Sequence, residues 1–325
     1  MLQVEGLVKH FPLRRPGLLR RRIGEVHAVC GVSLELRPGE TLGLVGESGS
    51  GKTTTARTIL QLERPTAGQV RFQGTNLAQA PGRAVRHARR DLQVVFQDPF
   101  ASLDPKLRIN DIVAEPLRVH GYYGRGGRQR VAQLLEQVGL RPEEGSRYPH
   151  QFSGGQRQRV AIARALALEP KVVVLDEPVS ALDVSIRAGV VALLEDLQAR
   201  LGLAYLFIAH DLSIVRRISD RVAVMYLGKI VEAGTRQDVY ERPSHPYTQA
   251  LLSAVPVPDP KVERHRQRVI LSGEIPSPVD PPTGCRFRTR CWRAEDVCAV
   301  EEPALVDRGQ GHPVACHFAG AKTPL

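Results

Sequence analysis

Eight consecutive residues, Gly46-Glu47-Ser48-Gly49-Ser50-Gly51-Lys52-Thr53, carry the most specific chemistry in the chain. They follow a strand-like run and open a helical pattern, so Gly46, Gly49 and Gly51 let successive backbone N–H groups turn toward one anion at a helix N-terminus. Lys52 adds a point positive charge for the phosphates, and the Thr53 hydroxyl is a ligand for Mg²⁺. Ser48, Ser50 and Thr54 complete the expected nucleotide-binding set. Further on, Val172-Val173-Val174-Leu175 ends in Asp176 and Glu177. A strand buried on both faces delivers such carboxylates to the sheet edge where ligands of open α/β sheets bind. Asp176 is expected to hold the Mg²⁺ and Glu177 to polarise the attacking water as general base. Between the two runs, Ser153-Gly154-Gly155-Gln156 begins a second helix able to meet an anion. The same residues also read as a plain helix cap. One chain offers a single polyphosphate loop, so the economical reading is a dimer in which this segment closes over the partner's nucleotide.

The elements that must position these residues alternate. Strand-like runs at Thr41–Gly46, Asp91–Gln97, Lys171–Glu177 and Ala204–His210 are interleaved with helical patterns, the clearest being Lys52–Leu62 and Gln156–Leu168. That order predicts an α/β fold with a mostly parallel sheet. Val222–Gly234 reads as a hairpin around Gly228. Past Val255 the chain turns Pro-rich, which predicts a boundary between a domain over 1–255 and a small loop-rich domain over 256–325.

The chain has 325 residues, 42% of them apolar and 24% charged, which excludes disorder and coiled coil. No run of about 18 apolar residues is present, so no membrane-spanning helix is expected. The start, MLQVEGLVKHF, lacks the apolar run of a secretory signal, which points to the cytosol. The net charge of +11 comes from scattered arginines (Arg20–Arg22, Arg89–Arg90, Arg125–Arg130, Arg286–Arg293). It reads as solvated surface, with anionic ligands or the inner membrane leaflet as the other reading.

Of five cysteines, Cys30 reads as a small core residue, whereas Cys285, Cys291, Cys298 and Cys316 crowd the tail. In a reducing compartment this clustering favours metal over disulfides. The intervals of five, six and seventeen residues are wider than the close pairs usual for zinc. They fit an iron–sulfur cluster at least as well, and zinc or unligated thiols stay open. Arg286, Arg288, Arg290 and Arg293 are expected to offset the thiolate charge, and Phe287 and Trp292 to exclude water. Any such metal would act as a structural staple for a segment with little apolar core.

Taken in order, the three nucleotide motifs resemble those of the ATP-binding cassette (ABC) ATPases, over essentially the first 255 residues. The resemblance implies a P-loop domain with a parallel sheet core, an antiparallel β subdomain and a helical subdomain at about 98–168. It implies ATP and Mg²⁺ as ligands. It also implies that Gln97 in VFQDP touches Mg²⁺ and the coupling surface, and that Ser180–Asp183 crosses between protomers. His210 in FIAHD would contact the γ-phosphate, and Glu177, His210 and Lys52 would form the catalytic set. Phe11 matches the aromatic that stacks on adenine, with His27 a rival and a basic insertion, Arg14–Arg22, following it. The 56 residues from Gln97 to Ser153 leave no room for the long coiled-coil arms of chromosome and DNA-repair relatives. The single cassette disfavours the two-cassette translation factors.

Asp98–Leu117, His245–Pro260 and Gly273–Cys291 resemble ATPase subunits of oligopeptide/dipeptide importers, a subfamily that includes nickel importers. That resemblance implies ATP hydrolysis powering peptide uptake from the cytoplasmic face of the membrane, as a peripheral subunit. The implied partners are two permease subunits, a second ABC ATPase (a paralogue rather than a second copy) and an extracytoplasmic solute-binding protein. No direct nucleic-acid contact is expected. Relatives with a cysteine-bearing tail can hold a [4Fe–4S] cluster, with Zn²⁺ as the alternative. The rival readings are a nucleic-acid-associated ABC ATPase and an importer of a non-peptide solute such as nickel.

Overall fold

Alternation of buried strands and amphipathic helices produces ten strands among the described residues, which are 1–14, 22–124, 126–256, 263–264 and 268–319 of a computed structural model. The strands are β1 (Leu2–Arg14), β2 (Arg22–Leu36), β3 (Thr41–Val45), β4 (Ala67–Phe72), β5 (Thr75–Asn76), β6 (Leu92–Val95), β7 (Val172–Asp176), β8 (Ala204–Ala209), β9 (Arg221–Tyr226) and β10 (Lys229–Thr235). The α-helices among the described residues are α1 (Lys52–Ile59), α2 (Gly82–Asp91), α3 (Pro99–Ser102), α4 (Ile109–Val119), α5 (Gly127–Gln137), α6 (Gly154–Leu166), α7 (Val184–Leu201), α8 (Leu212–Ile218), α9 (Arg236–Glu241), α10 (Pro246–Ala254) and α11 (Val297–Val300). They fall into two compact units. The first comprises Met1, Leu36–Thr41 and Phe72–Ala209, and the second Leu2–Glu35, Leu42–Arg71 and His210–Leu325.

In the first unit β7 is buried at every residue, as its unbroken aliphatic run requires. It pairs in parallel with β6 on one side and β8 on the other. The register sets Asp176 opposite Ile208, and the Glu177 N–H continues the ladder by donating to the Ile208 carbonyl at 2.9 Å. Helices α3 to α6 fill the stretch expected to be helical, α4 packs on α5 and α6, and its Ile112, Val113 and Leu117 are buried.

The second unit holds β3 in parallel with β9, the β9–β10 hairpin expected around Gly228, and a sheet in which β1 lies between β2 and β4. The composition break expected at 255 coincides with the end of α10, and the chain beyond it joins the same compact unit as the phosphate loop. Phe287 is the tail's main apolar anchor, 1% exposed, with ring centroids 5.2 Å from Tyr226 and 5.4 Å from Tyr247. A fully buried carboxylate, Glu232, ties β10, α10 and the tail together. It accepts from the Ser244 N–H at 2.8 Å, the His245 N–H at 3.1 Å and His312 Nε2 at 2.7 Å. The carboxylate contact holds the His312 imidazole above its ordinary pKa.

Three expectations shift. The first helix stops at Ile59 rather than Leu62, and α6 runs Gly154–Leu166 rather than Gln156–Leu168. The long strands β1 and β2 were not anticipated. Most of the basic insertion after Phe11, residues 15–21, lies outside the described residues, as does Arg125.

Candidate nucleotide site and the thiol cluster of the tail

The phosphate loop hangs between β3, buried throughout, and α1. At two of its glycines a side chain is sterically impossible. A Cβ on Gly46 (φ +154°) would lie 2.1 Å from the Met225 carbonyl oxygen, and one on Gly51 (φ +105°) 2.2 Å from that of Ala28. Gly51 is the N-cap of α1, and no side chain caps that helix, the arrangement in which a helix N-terminus can meet an anion. Lys52 is buried, and its Nζ donates to the Gly46 carbonyl at 2.8 Å and the Glu47 carbonyl at 2.9 Å, curling the loop around the ammonium. Thr53 and Thr54 are half-buried and Ser48 exposed. Ser50 is buried; its carbonyl accepts from the Gly228 N–H at 2.8 Å and its Oγ accepts from Lys52 Nζ at 3.4 Å.

A contact from the tail braces the same loop. Arg290, 8% exposed, forms a two-pronged ion pair with Glu47, Nη1 to Oε2 at 2.7 Å and Nη2 to Oε1 at 3.2 Å. Tyr247 Oη accepts from the Glu47 N–H at 2.8 Å. The pair holds the Arg290 guanidinium more firmly protonated than usual, and burial pushes the Tyr247 phenol up. The partners are 243 positions apart in sequence, and no local pattern signals the pairing.

In the first unit the structure brings Gln97 and Glu177 together, Gln97 Nε2 donating to Glu177 Oε2 at 2.8 Å. Asp176, 4% exposed, precedes Glu177 at the end of β7. Glu177 has φ +47°, a left-handed conformation uncommon outside glycine and costing about 1–3 kcal/mol, of the kind retained at functional sites. Ser153 caps α6. Its Oγ accepts from the Gln156 N–H at 3.3 Å while Gln156 Oε1 accepts from the Ser153 N–H at 3.0 Å. A Cβ on Gly155 would approach Ile186 Cγ2 to 2.5 Å, so the glycine lets α6 sit close to α7, and one on Gly154 would touch Leu182. Asp183 stands exposed at the N-cap of α7 without capping it, and Arg187 braces the preceding turn by donating to the Leu182 carbonyl at 2.6 Å.

His210, in the second unit, is exposed just after β8. Phe11 is half-buried on β1 with Lys9 Nζ 4.6 Å from its ring centroid. His27, the other candidate for adenine, instead has its ring edge-on to His10 at 4.3 Å.

Residues 29–180 match the family model described as ABC transporter, and residues 231–298 that of the oligopeptide/dipeptide transporter C-terminal region. The oligopeptide transport ATP-binding protein AppF of Bacillus subtilis is 50% identical over 320 residues, 98% of this chain and 97% of its own length. The chain belongs to the ABC transporter ATPases. Within that family a putative peptide import ATP-binding protein of Brucella ovis is 53% identical over 97% of each chain. The fold also matches a solved dimeric cassette, MJ0796, in a post-hydrolysis state with ADP and Pi. That match has a TM-score of 0.63 at 29% identity, covering 73% of this chain and 99% of that one.

The tail of this ABC ATPase gathers four thiols, none in a disulfide, with Cys298 and Cys316 buried and Cys285 and Cys291 half-buried. Burial pushes the Cys285 and Cys291 thiols up to about 11. Each of these two thiols also feels the charge of the other three cysteines of the group, or of two of them. Backbone N–H groups two residues on approach the sulfurs, Arg293 to Cys291 Sγ and Phe318 to Cys316 Sγ, both at 3.4 Å. The expected surroundings are only partly realised. Arg293 lowers the Cys316 thiol's pKa against the dominant effect of burial. Arg290, by contrast, is committed to Glu47 and Arg288 to the Thr283 carbonyl. Trp292 is 42% exposed and so excludes little water, whereas Phe287 is buried against aromatic rings. Cys30, expected in the core, is half-buried with its sulfur beside the His10 ring.

Proposed function

We propose that this ABC ATPase powers peptide import, lying as a peripheral subunit on the cytoplasmic face of the membrane and working with two permease subunits and an extracytoplasmic solute-binding protein. The observation that carries this reading is the oligopeptide/dipeptide-type C-terminal region at 231–298, joined to a chain aligned along 98% of its length with an oligopeptide transport ATPase. Among the described residues no helix is long and apolar enough to cross a membrane, as a peripheral role requires.

The roles follow from the chemistry. Residues 46–54 cradle the phosphates, with Lys52 the central positive charge. Thr53, Gln97 and the buried Asp176 are oxygen donors of the kind Mg²⁺ takes, and the ion would neutralise phosphate charge. Glu177 accepts the proton of the attacking water, Gln97 orients its carboxylate, and His210 contacts the γ-phosphate. Phe11 is the adenine platform, since His27 is already engaged by His10. Ser153–Gln156 and Asp183 serve the partner cassette's nucleotide, and the partner is a paralogous ATPase. ATP joins two cassettes and hydrolysis releases them, a two-state change biased by one phosphate. Purification of the complex from its native source should yield two permeases and two distinct ATPase chains, with hydrolysis stimulated by peptide-loaded binding protein. One ATPase chain type present twice would overturn the pairing, and stimulation by another solute but not by peptides would overturn the substrate.

The tail cysteines would hold a [4Fe–4S] cluster. A single tetrahedral zinc with Zn–S bonds of about 2.3 Å needs sulfurs roughly 3.8 Å apart. Among the described residues no three of these four thiols lie within 4.8 Å of one another, wider than a single zinc needs. The N–H groups aimed at Cys291 and Cys316 are the hydrogen bonds that tune such clusters. Anaerobic purification should give about four irons and four sulfides per chain, and Cys291→Ser should lose the iron and melt the tail at lower temperature. One zinc, or four freely alkylated thiols, would overturn the assignment.

A further inference from the structure

Three side chains outside both sites converge where β1 meets β2. His10 comes from β1, and His27 and Cys30 from β2. His27 Nδ1 lies 3.3 Å from His10 Nε2, and Cys30 Sγ lies 3.6 Å from the same His10 nitrogen. All three donor atoms are within 4.8 Å of one another, and no other group of three or more His, Cys, Asp or Glu among the described residues meets that test. All three residues are half-buried. Tetrahedral zinc with bonds of about 2.0–2.1 Å to nitrogen and 2.3 Å to sulfur places two nitrogen ligands about 3.3 Å apart and a nitrogen and a sulfur about 3.6 Å apart. Both contacts to His10 Nε2 already have that spacing.

The surroundings match what such a centre needs. Glu25 Oε2 lies 3.6 Å from His10 Nδ1, the ring nitrogen away from the trio. A carboxylate there favours the tautomer whose Nε2 lone pair points at the donor group, the usual arrangement behind a metal-bound imidazole. Cys30 also lines a cavity of about 300 Å³, with Ser33, Lys229, Arg286 and Glu302 among its walls, so the sulfur side of the trio borders open space. The strand is anchored at this point, the Cys30 N–H donating to the Gly228 carbonyl at 2.8 Å. We infer that His10, His27 and Cys30 form a site for a borderline-soft transition-metal ion, Zn²⁺ foremost, with water in the fourth position. The ion cross-links β1 to β2, through His10 next to Phe11 and His27 next to Ala28, whose carbonyl abuts Gly51 of the phosphate loop.

The full chain, washed with chelator as isolated, is titrated with Zn²⁺ alone against a competing chelator dye, and zinc X-ray absorption is recorded on the bound increment. The parent should bind one more zinc than Cys30→Ser or His27→Ala, and that zinc should show a nitrogen/oxygen shell with a single sulfur. Glu25→Gln should keep the stoichiometry and weaken affinity about 10- to 100-fold. Equal stoichiometry and affinity in the parent and the variants would overturn the site, leaving a hydrogen-bonded trio only. A purely four-sulfur shell would overturn it too, since that zinc belongs to the tail. The absorption measurement needs only the parent, so a variant that fails to fold does not rescue the idea.

Discussion

Glu177→Gln should bind ATP with nearly the parent affinity and hydrolyse it about 10²–10⁴-fold more slowly, the usual worth of a positioned general base. The substitution keeps the side chain's shape and a carbonyl oxygen to accept from Gln97, 2.8 Å away in the parent. It removes only the basicity that takes the water's proton. On the proposed cycle, in which γ-phosphate cleavage releases the paired cassettes, the variant should also accumulate as an ATP-bound dimer in size-exclusion chromatography. Lys52→Ala should give the opposite pattern. Its ammonium organises the loop through the Gly46 and Glu47 carbonyls, so nucleotide binding itself should weaken. Turnover by Glu177→Gln within about tenfold of the parent would remove Glu177 from the role of base.

The candidate nucleotide motifs are legible in the sequence because their chemistry sits in short local runs. Gly46–Thr53 needs its glycines for backbone conformation, and Val172–Glu177 is the unbroken apolar run of a strand covered on both faces. The first two strands were hidden for a physical reason. In β1 the buried residues are Leu2, Val4 and Leu7, and in β2 Val29, Val32 and Leu36. Each series changes parity at a glycine with positive φ, Gly6 at +55° and Gly31 at +79°. One residue of left-handed backbone turns the following side chains to the other face and erases the period of two on which strand recognition depends. The SGGQ segment illustrates a different limit. Within one chain it is a capping box and a close helix contact, and its part in binding a partner's nucleotide needs a second cassette. Tail chemistry was legible in residue type but not in pairing. The sequence reading assigned Arg290 to the thiols, yet its guanidinium lies on the phosphate loop.

That displaced arginine carries the second large effect. Arg290 is followed directly by Cys291 and reaches Glu47, one residue past Gly46, so the tail holds the loop that curls around Lys52. Arg290→Met keeps the stem's length and apolar contact while deleting both charge-assisted hydrogen bonds, each set typically worth about 1.5–3 kcal/mol when a charged partner is stranded. Glu47 is partly solvated, 26% exposed, so water would recover part of that loss and the lower end applies. Nucleotide affinity should therefore fall by roughly tenfold, with the hydrolysis rate at saturating ATP changed much less, because Glu177 and Gln97 are untouched. Arg290→Lys should restore little, since a single ammonium cannot reproduce the fork that meets both Glu47 oxygens. Glu47→Gln should match Arg290→Met, and the double variant should be no worse than either alone, the sign of one shared interaction. Isothermal titration with ATP and ADP across the parent and the four variants measures this. Additive losses in the double variant would mean that Arg290 and Glu47 act on the nucleotide independently, and that the tail does not brace the loop.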